Sequence, residues 1–85
     1  MKIEILGVEY TIERTDYVPT DDRAMGFTVE EKALIVISSR MPPDVEKYIL
    51  LHEELHAIDS MLHLGLTEQQ VASLSVGLNS IRERR

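Results

Sequence analysis

Residues 42–65 read PPDVEKYILLHEELHAIDSMLHLG. Paired prolines fit the first turn of a helix, where a missing N–H has no intrahelical partner to lose. From Asp44 onward the pattern is helical. Leu51, Leu55, Ile58 and Leu62 recur at i, i+4, i+7 and i+11 and mark an apolar stripe. Gly65 then supplies the residue type that most readily ends a helix in a left-handed conformation. The stretch predicts one long helix over 43–64.

Beyond it, Thr67-Glu68-Gln69-Gln70 restarts a helix with a capping box, Thr67 as N-cap and Gln70 three residues on. Val71, Leu74, Leu78 and Ile81 form its apolar stripe, and the helix is expected over 67–84. Before residue 42 the period changes from helix to strand. Ile3 and Ile5 alternate with Glu4, then Val8, Tyr10 and Ile12 with Glu9, Thr11 and Glu13. Gly7 between the runs carries a turn, giving a hairpin over 2–15. Residues 16–23 (DYVPTDDR) are a polar loop. The apolar runs 25–29 and 34–37 are joined by Glu30-Glu31-Lys32 as a turn, which predicts two short antiparallel strands. There are no repeats and no linker. The expected fold is α+β in a single domain, 1–85: a small N-terminal antiparallel sheet of three or four strands over 1–40, packed on the helix at 43–64 and on a C-terminal helix.

Composition narrows the function. The chain has 85 residues and no cysteine, so a metal would have to be held by His, Asp, Glu or backbone oxygen. Nine basic residues stand against fifteen acidic ones, a net charge of −6. That balance argues against a nucleic-acid partner. The one basic cluster, Arg82-Glu83-Arg84-Arg85, reads as a solvated helix end that complements the dipole. No apolar run approaches a membrane span. The opening Met1-Lys2-Ile3-Glu4-Ile5 does not resemble a secretory signal, so a cytoplasmic location and no membrane partner are expected.

The chemistry lies in His52-Glu53-Glu54-Leu55-His56, an HExxH sequence inside the long helix. Residues four apart share a helix face about 6 Å apart along the axis, so two imidazoles can converge on one ion. They lie about 100° round from Leu51 and Leu55 and border the core without filling it. Glu53 is offset from that face but can reach a water on the metal, which is the arrangement metal-assisted hydrolysis needs. The plain alternative is a pair of half-buried histidines on an amphipathic helix.

A catalytic zinc usually has three protein ligands and one open position. Asp59, His63 and Glu68 are the candidates for the third. On a straight helix His63 lies about 10 Å beyond His56, too far to share an ion. The third-histidine pattern of metzincins is ruled out, because Asp59 and Leu62 occupy the positions of its glycine and histidine. Asp59 is better placed to orient an imidazole than to bind. Glu68 extends the inward stripe that Val71, Ser75 and Leu78 continue, and an inward carboxylate needs a partner. Against it, a tight helical hairpin about Gly65 would set Glu68 opposite His63. Glu68 reaches the ion only if the first helix ends early or the helices cross at a substantial angle. Tyr48, one turn before His52, is a weak oxyanion candidate and better suited to packing.

The run Leu51-His52-Glu53-Glu54-Leu55-His56-Ala57-Ile58-Asp59, followed by Leu66-Thr67-Glu68-Gln69-Gln70-Val71, resembles small phage- and prophage-encoded zincin-like metallopeptidases. These are related to the ImmA/IrrE group and to minimal gluzincins. The resemblance extends over nearly the whole chain, including the opening Ile5-Leu6-Gly7-Val8-Glu9-Tyr10. It implies a mixed sheet packed on an active-site helix, Zn2+ on His52, His56 and a downstream Glu, and Glu53 as general base. The downstream Glu maps to Glu68, three before Val71. It further implies a peptide or protein substrate, a repressor being the example among ImmA/IrrE relatives. The chain is shorter than those relatives and lacks the DNA-binding or sensor regions some of them carry. Two other readings stand beside the hydrolase: a catalytically inactive, metal-stabilised binding or regulatory module, and a metal-free interaction protein or toxin–antitoxin component.

Overall fold

The computed structural model describes residues 1–16 and 25–83. Four strands come first: β1 (Lys2–Ile5), β2 (Val8–Thr15), β3 (Gly26–Val29) and β4 (Leu34–Ser38). A single 3-10 turn at Glu30–Lys32 joins β3 to β4, where the turn was expected. Two helices follow, α1 (Pro43–Leu62) and α2 (Glu68–Glu83). The fold is α+β. Of the polar loop read at 16–23, all but Asp16 lies outside the described residues, as do Arg84 and Arg85. Among the described residues no helix is long and apolar enough to cross a membrane.

The first hairpin forms for local reasons. Ile5 pairs with Val8, leaving Leu6 and Gly7 as a two-residue loop. Both have positive φ, 49° and 82°, the combination whose twist matches that of the flanking strands. Gly7 adopts it freely; Leu6 does so against the preference of a side chain with Cβ. Alternation along β2 then turns Tyr10 and Ile12 inward, where they are buried together with Ile5.

The sheet order is β1-β2-β4-β3, and the sheet is mixed. β2 and β4 run parallel, from Thr11 opposite Leu34 to Thr15 opposite Ser38. The other two pairings are antiparallel. This corrects the wholly antiparallel sheet read from the strand pattern. Alternation tells which face a residue occupies and says nothing about its strand's neighbour. The ten residues between Thr15 and Gly26 are long enough to pass one strand position, about 10 Å across two spacings. β3 therefore takes the edge, and β4 returns between β3 and β2. As one of the two inner strands, β4 is buried on both faces at Ile35, Val36 and Ile37.

α1 covers the sheet. Ala57 is fully buried in the core with Ile5, Tyr10, Ile12, Ile35 and Ile37. Ile49, Leu50, Ile58 and Met61 pack round that cluster. This is not the stripe expected. Leu51 is buried, Leu55 and Ile58 are half-buried, and Leu62 is exposed. α1 has two partners, the sheet and α2, so its apolar residues spread round the axis and do not keep to one face. α1 also ends earlier than expected. His63 takes the left-handed position that ends the helix, with φ 53°, and Gly65 follows beyond it, also at positive φ, 70°. The N–H of Leu64 then bonds the carbonyl of Asp59 at 3.1 Å, closing the helix end.

α2 begins with the expected capping box. The Gln70 N–H donates to Thr67 Oγ1 at 3.0 Å, and the Thr67 N–H donates to Gln70 Oε1 at 2.8 Å. Its buried face is narrower than the sequence implied. Val71 and Ser75 are fully buried, while Leu74, Leu78 and Ile81 remain exposed. The Ser75 hydroxyl is satisfied by donating to the Val71 carbonyl at 2.8 Å. Glu54 is half-buried on α1. Burial raises its pKa, and Arg82 of α2 offsets only part of that rise.

Two expected outcomes follow from this packing. A Cβ at Gly26 would lie 2.9 Å from the Val36 carbonyl oxygen and 3.2 Å from Ile49 Cγ2. The backbone cannot yield cheaply, so Gly26→Ala should destabilise by about 1–3 kcal/mol in denaturant unfolding. Because the folded state disfavours ionised Glu54, its cost is absent at low pH and develops as pH rises from the unfolded pKa through the folded one. Glu54→Gln should therefore raise Tm at pH 7 in chelator, and the difference should vanish below about pH 4. A wild-type advantage at pH 7 would show that the Arg82 attraction outweighs burial.

Candidate metal centre

One helical turn separates His52 from His56, and their rings meet edge to face with centroids 4.8 Å apart. Their Nε2 atoms lie 3.2 Å from one another. Glu68, first residue of α2, reaches both. Its Oε1 is 2.7 Å from His52 Nε2, and its Oε2 is 2.9 Å from His56 Nε2. One donor atom from each residue lies within 4.8 Å of the other two. The candidate ligands drawn from the sequence, His52, His56 and Glu68, therefore converge on one point.

The donor set suits a small divalent ion. Ligand atoms held at 2.0–2.1 Å in a tetrahedron stand about 3.3 Å apart, which the imidazole pair already matches. The Glu68 side chain is 69% exposed and free to move the few tenths of an ångström required. Two nitrogens at 3.2 Å can share only one proton between them, and one carboxylate faces both. A divalent cation satisfies all three donors together.

The helix junction brings Glu68 there. α1 stops at Leu62, and the reversal at His63 turns the chain back along α1 by about two turns. Asp59 secures that path by accepting the Leu66 N–H at its Oδ1, 3.0 Å away. Asp59 thus shapes the connection between the helices; the role expected for it, orienting an imidazole, is not what its hydrogen bond serves. His63 is exposed at the helix end and stands apart from the cluster. Tyr48 is half-buried with its ring 6.3 Å from that of His52, a packing contact.

Glu53 is 7% exposed. The Thr28 hydroxyl, from edge strand β3, donates to its Oε1 at 2.8 Å. Thr28 was not singled out from the sequence. A threonine in a short strand carries no local sign that it will meet a helix residue 25 positions away. His52, Glu53, His56 and Glu68 open on one cleft of about 580 Å3, whose sheet side is made by Gly26, Phe27 and Thr28.

Zinc titration with a competing chelator tests the ligand set. Near-stoichiometric zinc is expected for the wild type, with a lower Tm once it is removed, since a ligand held only by the folded state stabilises it. Glu68→Gln should weaken binding at least ~10-fold, the scale of even indirect losses at such sites. Asp59→Ala should weaken it less, by loosening the connection to α2, and His63→Ala should leave it unchanged. Zinc content equal to that of the His52→Ala/His56→Ala double variant would end the metal reading.

Compared with known protein families, curated proteins and solved structures, the chain matches none, so its function is read from these side chains.

Proposed function

We propose that the chain is a zinc-dependent peptidase-type hydrolase acting on a peptide or protein substrate. The observation that carries this reading is the pairing of a three-donor set, His52, His56 and Glu68, with a buried carboxylate, Glu53, on the same cleft. Three protein donors are the number typical of a catalytic zinc, which keeps one position open. Asp59 is engaged with the Leu66 N–H, and among the described residues no fourth His, Asp or Glu joins the group.

Bound zinc supplies a Lewis acid and acidifies water, the requirement for peptide hydrolysis near neutral pH. The chain's own residues do the rest. His52 and His56 present neutral nitrogens, and Glu68 contributes the one negative charge. Thr28 holds Glu53 through Oε1, leaving the other carboxylate oxygen to take a proton from the attacking water and return it to the leaving amine. β3 is an edge strand, and its residues Gly26, Phe27 and Thr28 form one wall of the cleft. An extended peptide laid along that edge gains backbone hydrogen bonds and passes the site. The resemblance to ImmA/IrrE-type proteins makes a repressor the first substrate to try, in a cytoplasmic setting.

A second reading is favoured by the slight attachment of α2, of which only Val71 and Ser75 are fully buried. Here the metal contributes folding free energy by tying α2 to α1, and the chain is a catalytically inactive binding or regulatory module of phage or prophage type.

Glu53→Gln separates the two. It should retain zinc and lower hydrolysis of a cleaved peptide by at least ~100-fold, the usual contribution of a general base. Cleavage at the wild-type rate would remove Glu53 from the mechanism. A zinc-loaded wild type that cleaves nothing in a broad peptide library would favour the module.

A further inference from the structure

α2 carries no charge from residue 69 to residue 81, thirteen consecutive positions in a chain that is 28% charged. Of these only Val71 and Ser75 are fully buried. A helix with one face in solvent ordinarily carries charge there. This one instead exposes Leu74, Leu78 and Ile81 to 45%, 39% and 40%. With Leu66, Gly77 and four uncharged polar residues they line one groove along the helix. Gly77 is the odd residue. A glycine inside a helix weakens it, yet a Cβ here would meet nothing within 4 Å. Nothing among the described residues requires its smallness.

We infer that this face is the interface of a homodimer in which two copies of α2 pack antiparallel about a two-fold axis between residues 77 and 78. The stripe is self-complementary in that register. Leu78 of each copy sits over Gly77 of the other, and the same alignment sets Leu74 against Ile81. A two-fold interface requires such reciprocity, and glycine at its centre lets the backbones approach closely. Antiparallel packing also opposes the helix dipoles favourably. Each copy carries a net charge of −6, so an uncharged face is where a second copy approaches against least repulsion. Leu74, Leu78 and Ile81 each expose less than half of their surface, so the interface belongs at or below the small end of the range, about 1,000 Å2 for the pair. The dimer is therefore weak, with a dissociation constant in the micromolar range. Glu68 lies about a third of a turn round the helix from Leu74, so the interface and the metal site do not compete.

Sedimentation velocity of the full chain from about 5 to about 500 μM, with zinc and with chelator, tests the proposal across the range where such a dimer forms. A reversible monomer–dimer equilibrium is expected for the wild type. Leu78→Glu should be monomeric throughout. Val76→Glu, at a 60% exposed position outside the groove, should dimerise like the wild type. Gly77→Leu is the decisive variant: it adds apolar surface and improves the helix, yet fills the space Leu78 needs, so its dissociation constant should rise at least ~10-fold. Circular dichroism and thermal melts check that each variant folds. If Leu78→Glu does not fold, Gly77→Leu alone decides. A wild type that stays monomeric to the highest concentration overturns the inference, the result expected if another protein or another part of the chain fills the groove. Tighter association of Gly77→Leu overturns it too, since that is generic apolar adhesion.

Discussion

The Glu68 carboxylate spanning His52 and His56 is the contact on which the arrangement of the helices turns. α2 otherwise packs against α1 through side chains. Its fully buried side chains are one valine and one serine, and a serine contributes little apolar burial. The carboxylate is largely exposed, so without a cation its attraction to the imidazoles is screened by water. With a cation, three donors from two helices share one centre, and binding at the site becomes the docking of α2. Were a cation bound, the docking of the C-terminal helix and the occupancy of the site would be two aspects of one equilibrium.

α1 meets three demands along its length. One face covers the sheet, where Ala57 allows close approach to Ile35 and Ile37. The His52–His56 face is left open to the cleft. A third side receives α2. A helix with two packing partners and one open face cannot keep its apolar residues in one stripe, which is why Leu62, although in register with Leu51, ends in solvent. Glu54 shows the same strain between roles: it lies partly buried on α1 with only partial compensation from Arg82.

The sheet contributes more than a floor. Because β4 inserts between β2 and β3, β3 is placed at the edge beside α1 and carries Thr28 to Glu53. A side-chain oxygen this buried needs a hydrogen-bond partner, and the threonine supplies it from a strand that also walls the cleft. The topology of the sheet and the orientation of the Glu53 carboxylate are thus coupled through a single hydroxyl.

Local pattern by itself determined much of this protein. The turn at Gly7, the capping box of Thr67 and Gln70, the long helix and the His52–His56 spacing all rest on interactions within a few residues, where sequence separation and spatial separation are nearly the same. The register of Glu68 with Val71 and Ser75 was legible for the same reason, but its side chain reaches the imidazoles while staying 69% exposed and is not buried as they are. Tertiary structure decided what local pattern could not encode. The parallel pairing of β2 with β4 depends on which strand fills a gap. The stop at His63, two residues before Gly65, depends on hydrogen bonds back to Asp59 and Ser60. The reach of Glu68 to both imidazoles depends on the path of residues 63–67, and Asp59 holds that path in place of orienting a histidine. The exposure of Leu74, Leu78 and Ile81 depends on α2 packing on one neighbour alone. In each case the deciding partner lies on another element, and periodicity along a single element carries no information about it.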